Sequence, residues 1–259
     1  MAHKTRVNGT SYEISGGKTL VNGTAYSISG GKTLVGGTSY GIGFGTPIGD
    51  LAVGSSVYLK RGGVSVEFLV VHQGLPSSMY DASCDGTWLL MKNIFSLRKW
   101  DSTDNNYAAS DIKAFLDSEP IYYNIYTSIK QVKIPYVNGT GSGGSVASGS
   151  SGLSTRVFLL SATEVGYQNI SYMISLGNCL SYFSGTSANN VEPKRQAYYN
   201  GTRTQWWLRN PMSGSSTSVF SVYPDGAYQF ANCSNSFGVR PAMILPSDAK
   251  IDENFNVIA

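Results

Sequence analysis

Trp206-Trp207-Leu208-Arg209-Asn210-Pro211, followed further along by Phe237-Gly238-Val239-Arg240-Pro241-Ala242-Met243-Ile244-Leu245, decides how the chain is read. Neighbouring side chains of a strand point to opposite faces. Trp206 and Trp207 on one strand therefore serve two layers, one the core and the other a second layer against it. Arg209 and Arg240 follow apolar runs, where a guanidinium fork suits fixed loop carbonyls or a carboxylate. Gly238 permits close backbone approach. Between these anchors, residues 212 to 236 are dense in Ser, Asn, Tyr and Phe and nearly free of charge. Rigid aromatics supply contact area and small polar groups supply adaptable hydrogen bonds, which is the chemistry of a binding surface.

Working outward, alternation and turn residues predict strands at Ser56 to Lys60 and Val64 to His72, around Arg61-Gly62-Gly63. Further strands are expected at Trp88 to Met91, Gln131 to Pro135, Val157 to Leu160, Trp206 to Arg209, Val219 to Tyr223, Tyr228 to Ala231 and Phe237 to Leu245. Ser110 precedes Asp111 to Asp117, whose apolar residues recur at helical spacing, so a short helix capped by Ser110 and stopped by Pro120 is predicted. A second short helix is expected over Ile121 to Ile129. A third should open at the capping box Ser161-Ala162-Thr163-Glu164. Residues 138 to 154 are mostly Gly and Ser and predict a mobile surface loop. Short strands, few short helices and long loops make the expected fold class α+β.

The first 45 residues hold a 14-residue repeat in three copies. Lys4-Thr5-Arg6-Val7-Asn8-Gly9-Thr10-Ser11-Tyr12 returns as Lys18-Thr19-Leu20-Val21-Asn22-Gly23-Thr24-Ala25-Tyr26 and as Lys32-Thr33-Leu34-Val35-Gly36-Gly37-Thr38-Ser39-Tyr40. Asn-Gly or Gly-Gly between β-prone runs signals a hairpin, because a type I′ turn needs positive φ twice. One hairpin cannot bury its apolar face alone. Residues 1–45 are therefore expected to dock or oligomerise. Thr46-Pro47-Ile48-Gly49-Asp50 marks the boundary to a body of residues 46–259.

Charge is scarce across the 259 residues: 19 Lys and Arg against 16 Asp and Glu, a net +3. No cationic cluster exists to bind nucleic acid, and no apolar run reaches the ~20 residues of a membrane helix. The start of the chain has no apolar stretch, so no signal peptide is expected. Three scattered cysteines, Cys84, Cys179 and Cys233, give no disulfide framework and are expected as small buried thiols. With two histidines and no Cys-x-x-Cys, no zinc site is expected. His72 ends an apolar run and is expected at the core edge. Glu192-Pro193-Lys194 places a cation where a calcium-dependent lectin loop needs oxygen, and Asp101 to Asn106 lacks the spacing of an EF-hand. No metal, no cofactor and no catalytic residue is therefore assigned.

The Trp-Trp-Leu-Arg-x-Pro anchor, the Ser/Asn/Tyr-rich segment with Asp225-Gly226 inside it and the closing Gly-Val-Arg-Pro-Ala resemble the C-type-lectin-like family that includes the variable proteins of diversity-generating retroelements. Phe158-Leu159-Leu160-Ser161-Ala162-x-Glu164 and the region from Val57 to Leu116 share the resemblance, which spans some 200 residues. It implies a C-type-lectin-like body in which Trp206, Trp207, Arg209, Gly238, Arg240 and Pro241 are scaffold. The ligand face it implies comprises Ser213, Ser215, Ser216, Thr217, Phe220, Tyr223, Tyr228, Phe230, Asn232, Ser234 and Asn235, about half of them exposed. The N-terminal repeats resemble Gly-rich repeats of bacteriophage tail and fibre proteins. Together the resemblances imply a non-enzymatic virion protein, a homo-oligomer (a trimer by analogy), that meets other virion proteins through residues 1–45 and a host-surface protein or glycan through the body. A second function considered is a structural particle protein, a capsid decoration or tail component, whose Ser/Tyr-rich face contacts neighbouring subunits; a third, a carbohydrate-active enzyme, needs paired carboxylates, and the scarce acids show no obvious pair.

Overall fold

The computed structural model describes residues 45–61, 63–118, 128–186 and 189–258, and within the first 44 residues the backbone of six short strands. These six pair as three antiparallel hairpins, Lys4–Val7 with Thr10–Glu13, Lys18–Val21 with Thr24–Ser27, and Gly31–Val35 with Thr38–Ile42. Each is a separate two-stranded sheet. The connecting Asn-Gly and Gly-Gly pairs lie outside the described residues.

In the body, β1 (Ser56–Arg61), β2 (Val64–Gln73), β3 (Thr87–Met91), β4 (Ser96–Lys99), β5 (Val157–Phe158), β6 (Trp206–Pro211), β7 (Ser218–Val222), β8 (Tyr228–Asn232), β9 (Ser236–Val239) and β10 (Ala242–Leu245) form two five-stranded sheets. The first has the order β5-β10-β3-β2-β1 and is antiparallel throughout. The second has the order β4-β9-β6-β7-β8, with one parallel pairing, Trp206 beside Gly238, between β6 and β9. The central strands β3 and β6 are buried at every residue. That is why Thr-Trp-Leu-Leu-Met and Trp-Trp-Leu-Arg-Asn-Pro read as continuous runs rather than as polar/apolar alternation.

The expected α+β, C-type-lectin-like class is corrected by this architecture. The body is mainly β, with small two- and three-stranded sheets around the two larger ones and, among the described residues, a single α-helix. Two local causes are visible beside one expectation that is met. The helix α1 (Asp111–Ser118) forms as expected: the Ser110 hydroxyl accepts the Lys113 N–H at 3.2 Å while Ile112 and Leu116 are buried. The capping box at Ser161 closes, Glu164 N–H to Ser161 Oγ at 3.0 Å and Ser161 N–H to Glu164 Oε2 at 2.8 Å, but no helix follows. Gly166 turns left-handed at φ +89°, and the Glu164 carboxylate is taken by Arg209. Residues 138 to 154 are not a structureless loop: Tyr136–Asn138 pairs with Ser145–Ala147, and Leu153–Thr155 with Val132–Ile134. The helix expected over Ile121 to Ile129 lies, but for its last two residues, outside the described residues.

One core runs through both sheets. Trp88 anchors it, meeting Tyr80 and Phe158 edge-on at 5.4 and 5.7 Å between centroids. Its Nε1 donates to the Cys84 carbonyl at 3.0 Å, so the ring buries its area without stranding its donor. Thr46–Pro47 pairs with Lys250–Ile251, which pairs with Val257–Ile258.

Candidate functional site

The two Trp anchors are fully buried. Trp206 Nε1 donates to the Arg195 carbonyl and Trp207 Nε1 to the Arg98 carbonyl, each at 2.9 Å. Arg209 makes a two-pronged ion pair with Glu164, both contacts at 2.5 Å, and donates to the carbonyls of Pro135 and Leu159. Neither member of the pair is solvent-exposed. Burial pulls the Arg209 pKa down, but the Glu164 carboxylate outweighs it and holds the guanidinium charged. Tyr80 donates its hydroxyl to Glu164 Oε1 at 2.8 Å, and burial together with that carboxylate raises its pKa well above the usual phenol. The next residue, Asn210, accepts from Ala162 N–H and donates to the Ile174 carbonyl. The strand entering the Ser-rich segment is therefore locked at two successive side chains.

At the far anchor, Arg240 donates to the Met91 carbonyl at 2.8 Å and lies 4.9 Å from the Trp206 ring centroid. Burial depresses it to about 10. Gly238 does bring elements close: a Cβ there would sit 2.7 Å from Ile94 Cδ1.

The segment between the anchors folds as two strands and two surface ends. At one end, Met212 to Thr217 meets Asn232 to Asn235, the Asp101–Asn106 loop and Gly141. Asn105 organises this end, donating through Nδ2 to the carbonyls of Ser215 and Ser218 and through its N–H to that of Ser216, while its Oδ1 accepts the Gly141 N–H. Gly141 is required there, because a Cβ would fall 2.0 Å from the Met212 carbonyl oxygen. Cys233 is tied by its main chain to Thr217, Trp100 and Asp101. Tyr172, 61% exposed and left-handed at φ +65°, accepts the Ser213 N–H and presents an aromatic beside the loop.

The eleven residues singled out as a ligand face do not form one patch. Ser213, Ser216, Thr217, Ser234 and Asn235 gather at this end, partly or fully exposed. Ser215 and Asn232 are there too but brace the turns: Ser215 Oγ accepts the N–H of Thr217 and Ser218, and Asn232 Oδ1 accepts from Ser234. Tyr223, 47% exposed, lies just past the opposite end of β7, roughly 17 Å from Ser218 at about 3.4 Å per strand residue. Phe220 is corrected outright. It is fully buried, 4.5 Å from Phe230 between centroids, because β7 is an interior strand covered on both faces. Tyr228 and Phe230 on edge strand β8 are half-buried, packing on Tyr167 and on Phe220 and each other.

Asn105, Gly141 and Tyr172 were missed. The first belongs to the oxygen-rich run weighed only as a metal loop, and the carbonyls to which it donates lie over a hundred residues away. Arg195 was missed as well. Fully buried, it donates to the Gly226 carbonyl at 2.8 Å and stacks 4.3 Å from the Tyr167 centroid, fixing the Tyr223–Ala227 turn.

The Asp101 carboxylate is spent on its own loop, accepting the N–H groups of Thr103, Asp104 and Asp111 at 2.7 to 3.0 Å. Burial works to raise its pKa, but these donors prevail and hold it below the ordinary Asp value. A lowered folded pKa adds stability that is complete above the unfolded value of about 4 and is lost as pH falls through the folded one. Urea midpoints at pH 5 and pH 2.5 should therefore fall further for the wild type than for Asp101→Asn.

Elsewhere, Glu192 Oε1 accepts the Lys194 N–H, so this carboxylate caps its own turn. Among the described residues no group of three or more His, Cys, Asp or Glu is placed to hold a metal, and no helix is long and apolar enough to cross a membrane. Cys84 and Cys233 are buried and Cys179 half-buried; burial pushes the Cys84 thiol up to about 12. His72 sits at the core edge, its Nδ1 2.8 Å from Ser181 Oγ, and burial lowers its pKa. A shallow groove of about 420 Å³ lies along β4 between Leu97, Arg98, Lys99, Asp111 and Ser236, charged where the loop end is not.

Residues 85–247 match a family described as a domain of unknown function, DUF6273. The chain belongs to that family. Compared with curated proteins and with solved structures, it has no match in either. The match begins just before β3 and ends just after β10, so the folded body is larger than the matched region. Strand β2, which pairs directly with β3, precedes it.

Proposed function

We propose that this chain is a bacteriophage virion protein of the receptor-binding type. It is displayed on the particle surface, joined to the particle through residues 1–45, and binds a host-surface protein or glycan. Contact falls on the loop end formed by Tyr172, Ser213, Ser216, Thr217, Ser234 and Asn235. The virion assignment rests on the resemblance of the N-terminal repeats to those of phage tail and fibre proteins.

One observation carries the binding role. The loop end is fixed through main-chain groups and the bracing side chains of Asn105, Ser215 and Asn232, while Ser213, Ser216, Thr217 and Asn235 make no side-chain hydrogen bond among the described residues. Their identities can change without touching the scaffold, and their hydrogen-bonding capacity is left for a ligand. A pre-formed backbone also spares the ordering cost of binding. The six contact residues are uncharged, five of them small and polar around one exposed aromatic, and anchors of that type dominate binding energy.

The test is a variant pair in the full chain. Tyr172→Ala together with Ser216→Arg should weaken binding to host cells at least tenfold, about 1.4 kcal/mol, with an unchanged melting temperature. Tyr223→Ala, at the other end of β7, should leave binding within twofold. Unchanged binding by the first variant combined with failure to join particles would instead mark the face as a contact between particle subunits.

A further inference from the structure

The groove beside β4 gathers two cations that have no charged partner. β4 is the outermost strand of its sheet, so side chains from both of its faces can reach a ligand lying along its open edge. Leu97, Arg98 and Lys99 line the groove from β4, Ser236 lines it from β9, where it pairs with Lys99, and Asp111 from the start of α1. All five are exposed. The volume of about 420 Å³ falls in the ~300–1,000 Å³ range of small-ligand sites. The Arg98 guanidinium lies 3.7 Å from the Phe115 ring centroid, and Phe115 stacks on Phe95 at 5.9 Å. Its main chain is fixed as well, since the Arg98 carbonyl accepts Trp207 Nε1. Among the described residues neither Arg98 nor Lys99 makes a side-chain hydrogen bond or an ion pair. Asp111 shares the groove without pairing to either: its Oδ2 accepts the Ser102 hydroxyl at 3.0 Å, and its Oδ1 has no partner among the described residues.

These groups select a class of ligand. A guanidinium fork held against an aromatic face suits a planar carboxylate, and Lys99 adds a second cation beside it. Two cations against one acid match a ligand with a single negative charge. A phosphate dianion would set its charge against Asp111 and offer that carboxylate nothing to accept. Asp111 is an acceptor only, and the Ser236 hydroxyl both donates and accepts, so the rest of the ligand should carry hydroxyl groups. Leu97, 42% exposed, supplies an apolar wall for the C–H face of a ring. An acidic peptide strand fits less well, because charged side chains on an edge strand disfavour the pairing of another strand.

We propose that the β4 groove is a binding subsite for an acidic sugar, with its carboxylate on Arg98 and Lys99 and its ring hydroxyls on Asp111 and Ser236. The groove borders the loop end. Ser236 follows Asn235, and the N–H groups of Trp100 and Asp101, next after Lys99, both donate to the Cys233 carbonyl. One saccharide chain can therefore run from the groove onto the loop end. This names the ligand class of the binding body as an acidic glycan, and it rests on that binding role only in placing the glycan on a host surface.

The test titrates the full chain calorimetrically with a galacturonic acid tetrasaccharide, beside its carboxyl-reduced neutral form and a tetra-aspartate peptide. The acidic saccharide should bind with a Kd at least about tenfold below that of either control. Arg98→Gln and Lys99→Gln should each weaken it about threefold, the scale of an exposed ion pair, with unchanged melting temperatures. Asp111→Ala removes a negative charge from the groove, yet it should weaken the saccharide because it removes the hydroxyl acceptor. The proposal is overturned by no binding of the acidic saccharide, by equal binding of the neutral form or the peptide, by titrations that Arg98→Gln and Lys99→Gln leave unchanged, or by tighter binding in Asp111→Ala. Cell binding is read separately. A chain that takes the saccharide but binds no cells keeps the subsite and loses the receptor-binding role; cell binding without saccharide binding does the reverse.

Discussion

Arg209→Met should lower the unfolding free energy by about 3–5 kcal/mol, the range for removing one partner of a buried ion pair. The cause is not the lost attraction alone. Glu164 would stay fully buried with its charge uncompensated, still accepting from Tyr80 and Ser161. The Pro135 and Leu159 carbonyls would lose their donor too. Pairing Arg209→Met with Glu164→Leu removes the stranded charge, so the double variant should recover part of the loss. It should not recover all of it, because those two carbonyls still lack a donor, and the Tyr80 hydroxyl and the Ser161 N–H lose their acceptor. Urea unfolding of the four proteins of the cycle measures this. A loss below about 1 kcal/mol for Arg209→Met would mean that the pair does not anchor the strand entering the loop end.

Trp206→Ala should cost a similar amount, about 3–5 kcal/mol for truncating a buried Trp. Three contributions act together: the empty volume, the Arg195 carbonyl without its donor, and Arg240 deprived of the ring it stacks on. Trp206→Phe keeps an aromatic face for Arg240 and removes the Nε1 hydrogen bond, so it should lose less, with about 0.5–1.5 kcal/mol from that bond. Equal losses for the two variants would show that the ring contributes nothing to holding Arg240. The comparison bears on function because Arg195 fixes the Tyr223–Ala227 turn inside the Ser-rich segment and Arg240 holds the strand that follows it.

The strands were legible where the signal is local. Val64 to His72, Trp88 to Met91 and Tyr228 to Ala231 each came within about a residue of the observed bounds, since apolar runs ended by Gly or Asp leave few alternatives. Helix α1 was legible for the same reason. The fold class was not. A capping box is a local device that closes here without a helix after it: the chain turns left-handed at Gly166, and the same Glu164 carboxylate also pairs with Arg209, 45 residues away. Residues 138 to 154 misled because Gly and Ser content reports chain freedom, whereas Lys133 and Tyr136 found partners at Ser154 and Ala147. The scaffold half of the site was legible as Trp and Arg beside apolar runs. The exposed half was not, because alternation cannot tell an interior strand from an edge strand. Phe220 and Phe230 pair directly across β7 and β8, yet one is fully buried and the other half-buried.

The most direct measurement is binding of the purified full chain to intact bacterial cells, titrated to saturation with and without a calcium chelator. The expected result is saturable binding that survives chelation and is lost in the Tyr172→Ala, Ser216→Arg variant. Such binding needs only the uncharged side chains of the loop end, whose nearby carboxylates, Asp101 and Asp104, accept main-chain N–H groups of their own loop. The contradicting result is no saturable binding to any cell tested, or binding that disappears with the chelator. The first would assign the face to contacts within the particle, and the second would move the contact to a metal site elsewhere on the chain.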